Sequence, residues 1–393
     1  LVAAARRASA PSSRGVTVQP SFSWPAILES IKKDVLLRLR TGVAGLLRQH
    51  GVTVMKGTGS LREPGKVEVD GTLVECDSVI LACGSSPALP QAFRGDDRVI
   101  TSDDLWSLET LPASLAIIGG GVIGCEFASI FRKFGVHVTI YEMLDAILPT
   151  VDREIARTVA AGFSRRGIGV RTGMAVSGVS DLQEERILVA VGRKPNLSGV
   201  APAGVTIDGA GVITDERMRT NLPGVYAAGD ITGRFLYAYV ATREGEVAAA
   251  NCAGVNAAVS YDAIPVSIFT DPEVGACGMT EEEARAAGRS IRIGRFPYAA
   301  LGKAHAEGST EGLCKVIIED GTDRVLGIHV VGEKATELAA FASLAVSAGL
   351  TAGQVEKALF CHPTFAESIM EALADSHGRC VHLPPRRTQS SQR

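Results

Sequence analysis

Apolar residues recur at helical spacing between residues 27 and 50, where Ile31, Val35, Leu36, Leu39, Val43, Leu46 and Leu47 alternate with Lys and Arg. Short runs of strand character follow at 52–56, 66–69 and 79–82. A compact apolar run at 115–118 reads as a buried strand, and a glycine cluster separates it from a helix at 125–134. A strand at 136–141, a helix at 152–166 and a strand at 169–171 complete a βαβαβ alternation. That order predicts a parallel, doubly wound sheet.

Beyond Arg171 the pattern thins. Residues 172–186 offer room for one short strand pair at most before the apolar run 187–191. Short strands and turns alternate from 187 to 260 around one helix at 241–252. From Pro265 the character shifts to antiparallel strands, such as 313–318 and 324–331, interleaved with amphipathic helices, and this third α+β unit ends near His382. The polar, Pro-rich stretch 383–393 reads as a disordered tail, and residues 1–10 read as the end of a helix. The chain contains no internal repeat.

Composition changes this picture little. Across 393 residues, 46% hydrophobic and 21% charged usage is that of an ordinary globular protein. A net charge of −3 leaves no electrostatic footprint for nucleic acid. No stretch approaches 18 uncharged apolar residues, so the chain is expected to be cytoplasmic rather than membrane-spanning. None of the eight cysteines (Cys76, Cys83, Cys125, Cys252, Cys277, Cys314, Cys361 and Cys380) forms a C-x2-C or C-x4-C pair. They read as small buried hydrophobes in a reducing compartment, with no metal site.

Three motifs carry chemistry. Gly119, Gly120, Gly121, Val122, Ile123 and Gly124 follow a strand and open a helix, the context a dinucleotide fingerprint requires. Gly119 makes the tight turn, Gly121 lets backbone approach a pyrophosphate, and Gly124 allows close helix–strand packing. The helix N-terminus supplies free N–H groups and a favourable dipole. Glu142, at the end of the next strand, is placed for adenosine ribose hydroxyls and so favours NAD over its 2′-phosphorylated analogue. The second motif runs from Thr220 to a Gly229-Asp230 pair at a strand's carboxyl end, a position either functional or merely that of a turn aspartate. In the third, Pro363 restricts His362 to extended backbone, a helix is expected to start near Thr364, and Glu367 can fold back onto the imidazole. A carboxylate on one ring nitrogen is the arrangement of a general acid–base histidine, although a surface histidine beside an acid has the same spacing.

Taken in order, CGSSP, GGGVIG with Glu142, AVGRKPN, T-x-x-PGVYAAGD, P-x-S-I-F-T-x-PE and HPTFAE resemble the class I pyridine nucleotide–disulfide oxidoreductases over nearly the whole chain. Within that family the pattern is most similar to the dihydrolipoyl dehydrogenase branch. The resemblance implies two Rossmann-like nucleotide-binding domains plus a C-terminal α+β dimerisation domain. Residues 1–110 and 193–262 would bind FAD, 111–192 NAD, and 263–382 would form a homodimer. It implies that Gly57, Gly84, Ser85, Asp230, Leu236, Tyr237, Ala238 and Tyr239 contact FAD, with Cys83 in place of the usual Thr. The same resemblance assigns Gly119, Gly120, Gly121, Val122, Ile123, Gly124, Cys125, Glu126, Glu142 and Gly192 to NAD. His362 and Glu367 would act on the dithiol of a lipoyl domain in a 2-oxoacid dehydrogenase or glycine-cleavage complex, in the partner subunit's active site.

Two departures stand out. The family's opening strand, flavin G-x-G-x-x-G and C-x4-C redox pair do not occur in these residues, and the meander before AVGR is short. The FAD domain is therefore expected to be incomplete and the chain to be a fragment. The alternatives are another flavin disulfide or quinone reductase, or a catalytically incomplete nucleotide-binding dimer.

Overall fold

The computed structural model describes every residue except 10–14, 18, 20, 201–202 and 385–393. Most of the tail anticipated at 383–393 therefore lies outside the described residues.

The centre of the molecule is a five-stranded sheet in the order Val99–Ile100, Arg186–Val189, Ser114–Ile118, His137–Tyr141, Gly169–Arg171. All neighbouring strands are parallel. Chain order reverses on either side of Ser114–Ile118, so the sheet splits at that strand's carboxyl end, where the glycine cluster sits. Helices Val122–Lys133 and Arg153–Arg165 belong to the same core, and Leu115, Ile117, Phe131, Ile140, Ile155 and Phe163 are completely buried. Ala5, Trp24 and Leu28 join this cluster, and the Trp24 indole N–H donates to the Leu108 carbonyl at 2.7 Å. Strand pairing also draws Val99–Ile100 into this sheet.

A second group of strands comes from the segments before and after it in the chain. Gly59–Glu63, Lys66–Val69 and Thr72–Glu75 form an antiparallel meander. Val79–Leu81 pairs in parallel with Val225–Ala227, and Ser85–Pro87 pairs antiparallel with Arg193–Pro195. The chain thus leaves this unit, builds the parallel sheet, and returns.

The third unit is a five-stranded antiparallel sheet, in the order Val266–Ile268, Val274–Gly278, Val325–Gly332, Gly312–Glu319, Ile291–Pro297. Helices Ala335–Ser347 and Glu367–Ser376 cover it. Every residue of Val325–Gly332 is buried, including His329, so this central strand is apolar on both faces but for that one side chain. Gly294 lets helix Glu367–Ser376 lie against the sheet, because a Cβ there would fall 1.8 Å from the Ala372 carbonyl oxygen.

Several expectations need correction. Residues 24–49 are helical throughout, as Trp24–Ser30, a π-helical Ile31–Leu37 and Arg38–Gln49. Their apolar stripe is nevertheless uncovered: Val35, Leu37, Leu39, Val43 and Leu46 are all exposed. Residues 52–56 form no strand, with Val52, Val54 and Met55 exposed, because β-structure needs a ladder partner and none lies beside them among the described residues. The stretch 172–185 holds a 3₁₀ turn, Val179–Asp181, within the little room expected there, and Arg186 opens the next strand. The last helix starts at Glu367 rather than near Thr364.

The cysteines divide. Cys125, Cys277 and Cys314 are buried, whereas Cys76, Cys83 and Cys361 are exposed and Cys252 and Cys380 half-buried. Most are therefore not buried hydrophobes, because their runs lie at strand ends and loops. Burial, and then a hydrogen bond to the Glu371 carboxylate at 3.0 Å, push the Cys380 thiol up to about 11. At pH 8 about one such thiol in a thousand is ionised. Alkylation followed by mass spectrometry is expected to label Cys380 far more slowly than Cys76; equal rates would show that the Glu371 contact is not kept in solution.

Candidate active site

The glycine turn is built as its spacing demands. Gly119 has φ +102° and its N–H donates to the Tyr141 carbonyl at 2.9 Å, tying the turn to the neighbouring strand. A Cβ on Gly124 would sit 2.1 Å from the Gly119 carbonyl oxygen, so only glycine lets the helix lie this close to the strand. Gly121 caps the helix Val122–Lys133 without a side-chain hydrogen bond, and a Cβ there would meet nothing within 4 Å. That open, N–H-rich end suits a pyrophosphate.

Glu142 is buried beside the turn and both its oxygens are engaged. Oε2 accepts from the Gly120 N–H at 2.6 Å and Oε1 from the Leu144 N–H at 2.8 Å. Leu148 N–H donates to the Gly120 carbonyl at 2.8 Å, and Ile147 fills the space where a Gly120 side chain would be. Residues 142–148 therefore wrap the turn. Gly192, at φ +119°, follows Ala190 and Val191, whose backbone lies directly beside Gly119. Cys125 is buried, its thiol on the Gly120 carbonyl at 3.3 Å, and burial pushes it well above the ordinary thiol range. Burial likewise raises the Glu126 carboxyl, although the Phe269 N–H donates to it at 2.9 Å.

A second cluster gathers where the parallel pair Val79–Leu81 and Val225–Ala227 ends. Ser85 Oγ donates to Asp230 Oδ2 at 2.5 Å. Gly84, at φ +68°, turns the chain there, and its carbonyl accepts from the Asn196 N–H at 2.9 Å. Asn196 also donates to the Cys83 carbonyl at 2.9 Å. Arg193 holds the group together, donating to Ser85 Oγ at 2.7 Å and lying 3.9 Å from Asp230. Arg193 was missed as a site residue, and its place in AVGRKPN was the available signal. Glu244 was missed too; it is completely buried and accepts from the Gly229 N–H and the Tyr261 hydroxyl, both at 2.7 Å.

Leu236 and Tyr237 lead into helix Ala238–Cys252, which Ala238 and Tyr239 open and whose N-terminus carries no side-chain cap. The rings of Tyr237 and Tyr239 stack at 5.3 Å, and the Tyr239 hydroxyl donates to the Pro265 carbonyl. Gly57 stands apart at φ +152°, packed on Asp70.

The third constellation is compact. His362 Nδ1 lies 2.9 Å from Glu367 Oε1, and the Thr364 N–H donates to Glu367 Oε2 at 2.8 Å. The carboxylate is thereby fixed, with its side chain 16% exposed, while the imidazole is 78% exposed. With Nδ1 directed at the carboxylate, Nε2 is the nitrogen left to exchange a proton with a substrate. Among the described residues no hydrogen bond joins this pair to either nucleotide cluster, and no group of three His, Cys, Asp or Glu side chains is placed to hold a metal.

Comparison with known proteins finds relatives over nearly the whole chain. The family profile described as pyridine nucleotide-disulphide oxidoreductase matches residues 3–245, and its dimerisation domain matches residues 264–373. A dihydrolipoyl dehydrogenase of Chlamydia pneumoniae is 37% identical over 385 residues, covering 93% of this chain and 83% of that one. Another, from Thermus scotoductus, is 38% identical over 375 residues, covering 90% of this chain and 81% of that one. Among solved structures, LpdA from Mycobacterium tuberculosis superimposes with a TM-score of 0.85 at 26% identity, covering 95% of this chain and 87% of that one. The HOCl-induced flavoprotein disulfide reductase RclA from Escherichia coli also gives 0.85, at 25% identity over 95% of this chain and 88% of that one.

Proposed function

The chain belongs to the pyridine nucleotide-disulphide oxidoreductase family, and from that premise we infer which of its residues carry out the reaction. It is a dihydrolipoyl dehydrogenase, a flavoprotein oxidoreductase that uses FAD and NAD and pairs as a homodimer through its dimerisation domain. The observation that carries the site assignment is the His362–Glu367 pair, with one imidazole nitrogen anchored and the other free.

Both cofactors fit the residues present. The uncapped N-terminus at Gly121 and the empty space around it accommodate the NAD pyrophosphate, with Glu142 beside it for the ribose. In the FAD site, Asp230, Ser85 and Arg193 gather ahead of the uncapped helix Ala238–Cys252. When bound, the flavin supplies two-electron transfer between a dithiol and nicotinamide.

The chain's own residues bind, orient and move protons. Glu367 holds the imidazole in one tautomer, leaving Nε2 as the base. Nε2 takes the proton of a lipoyl thiol, leaving the thiolate as nucleophile. Each Glu142 oxygen keeps a lone pair beside its one backbone N–H and can accept a ribose hydroxyl there, and its charge selects a ribose over a 2′-phosphate. Lipoyl domains of 2-oxoacid dehydrogenase or glycine-cleavage complexes are the partners in this reading. Its other elements are a cytoplasmic location and a His362 that serves the partner subunit's site across the dimer.

The test is the visible absorption spectrum of the purified chain with added FAD, before and after NADH. A flavin band that bleaches with NADH is the expected result. A protein that leaves free FAD unchanged and binds no NADH would overturn the site assignment.

A further inference from the structure

A group of charged side chains makes no hydrogen bond to the His362 pair and lies outside both nucleotide clusters. Lys315, in the middle of strand Gly312–Glu319, is 1% exposed, and Asp152 is 0% exposed. The Lys315 ammonium lies 2.9 Å from each Asp152 oxygen, 2.8 Å from Glu281 and 3.2 Å from Glu154. Arg295 donates to both oxygens of Glu154 at 2.9 Å and closes the group. His329 is buried alongside, its Nε2 on the Met279 carbonyl at 2.8 Å, and burial pushes it down toward the neutral form. Burial alone would discharge Asp152 and Lys315, but the bond between them, and for Lys315 first the bond to Glu281, outweighs it, holding the carboxyl below and the ammonium above the ordinary range.

The partners come from two domains. Asp152 caps helix Arg153–Arg165 of the parallel sheet unit through the Glu154 N–H at 3.0 Å. Its other oxygen accepts from the N–H of Glu281, the first residue of helix Glu281–Ala286 in the dimerisation domain, at 3.2 Å. One carboxylate therefore caps one helix and accepts from the first N–H of another in a second domain, with a buried lysine between them.

Asp152 also ends the segment that wraps the glycine turn. From Glu142 that segment runs through Leu144, Ile147 and Leu148, and Leu148 holds the Gly120 carbonyl with φ +51°. The Val151 N–H then donates to the Leu148 carbonyl at 3.0 Å, immediately before Asp152. One end of the segment touches the turn; the other is pinned to Lys315.

We propose that Lys315 is a positioning residue for NAD: by fixing Asp152 it holds residues 142–152 in the shape that sets Glu142 and the Gly119–Gly124 turn for the dinucleotide. The inference rests on the assignment of that turn to NAD. Lys315 touches no substrate and acts only through Asp152.

Titration of the whole chain with NADH, followed by nucleotide fluorescence, tests it beside the thermal midpoint. Lys315→Met leaves Asp152 buried without its cation, so the midpoint falls and the NADH dissociation constant rises about tenfold. Should that variant not fold, Asp152→Asn/Lys315→Met removes the stranded charge while keeping an oxygen to cap the helix. The double variant is expected to recover the midpoint but to keep the weakened NADH binding. A double variant that binds NADH as the parent does would overturn the positioning role and leave the cluster a purely structural contact. A parent chain that binds no NADH would instead overturn the assignment of the turn, and this inference with it.

Discussion

Replacing His362 with Gln is expected to lower dihydrolipoamide oxidation by about 10²- to 10⁴-fold, the range of a lost general base. Gln preserves size and polarity but cannot take up a proton. The imidazole is anchored only through Nδ1 to Glu367 and is otherwise exposed, so the change should leave the fold and the thermal midpoint untouched. NADH binding should also be unchanged, since no hydrogen bond ties the pair to the glycine turn. Glu367→Gln should cost less, because an amide oxygen can still accept from Nδ1–H and keep the ring in place. The measurement is steady-state turnover with dihydrolipoamide and NAD, in protein that carries the redox disulfide together with these residues. Turnover within twofold of the parent would remove His362 from the mechanism.

The second large effect concerns the turn itself. Gly124→Val is expected to cost about 3 kcal/mol or more and to abolish NADH binding. The added Cβ would lie 2.1 Å from the Gly119 carbonyl oxygen and 3.1 Å from the Ile117 side chain. The first of these is backbone and cannot swing aside, so helix and strand must separate, taking the N–H-lined end of the helix with them. The clash is made by Cβ, so Gly124→Ala should carry much of the same loss. Gly245→Ala is the control: it lies within helix Ala238–Cys252, and its Cβ would meet nothing within 4 Å. That change should be neutral or slightly stabilising. Denaturant midpoints and NADH titration read both; a Gly124→Val protein with the parent's midpoint and affinity would show that the close approach is not required.

Local chemistry explains what could be read from the sequence. The glycine turn, its following helix and Glu142 are separated by few residues and obey a spacing with a mechanical cause, so both their existence and their geometry were foreseeable. His362 and Glu367 sit five residues apart, and Pro363 fixes the backbone between them. What escaped depends on distant partners. Arg193 meets Ser85 across 108 residues, and Lys315 meets Asp152 across 163. Within the apolar run Leu313–Ile318, Lys315 looks like any solvent-facing strand lysine, and nothing nearby announces a carboxylate. Glu142 could be placed beside the turn, but its engagement by the Gly120 and Leu144 N–H groups could not. Periodicity likewise revealed a helix over 27–50 without revealing that its apolar side stays uncovered, because a pattern shows which face is apolar and not what covers it.

The excursion of the chain between Val79–Leu81 and Val225–Ala227 has a consequence for how the protein is made. These strands pair in parallel although they are 146 positions apart (225 − 79). A ribosome adding roughly 5–20 residues per second leaves the first of them without its partner for about 7–30 s. Within that interval every strand of the central sheet, from Val99 to Val189, has already been synthesised. The nascent chain can therefore finish its middle before its beginning, and the early segment must wait, unpaired, as the part most in need of protection.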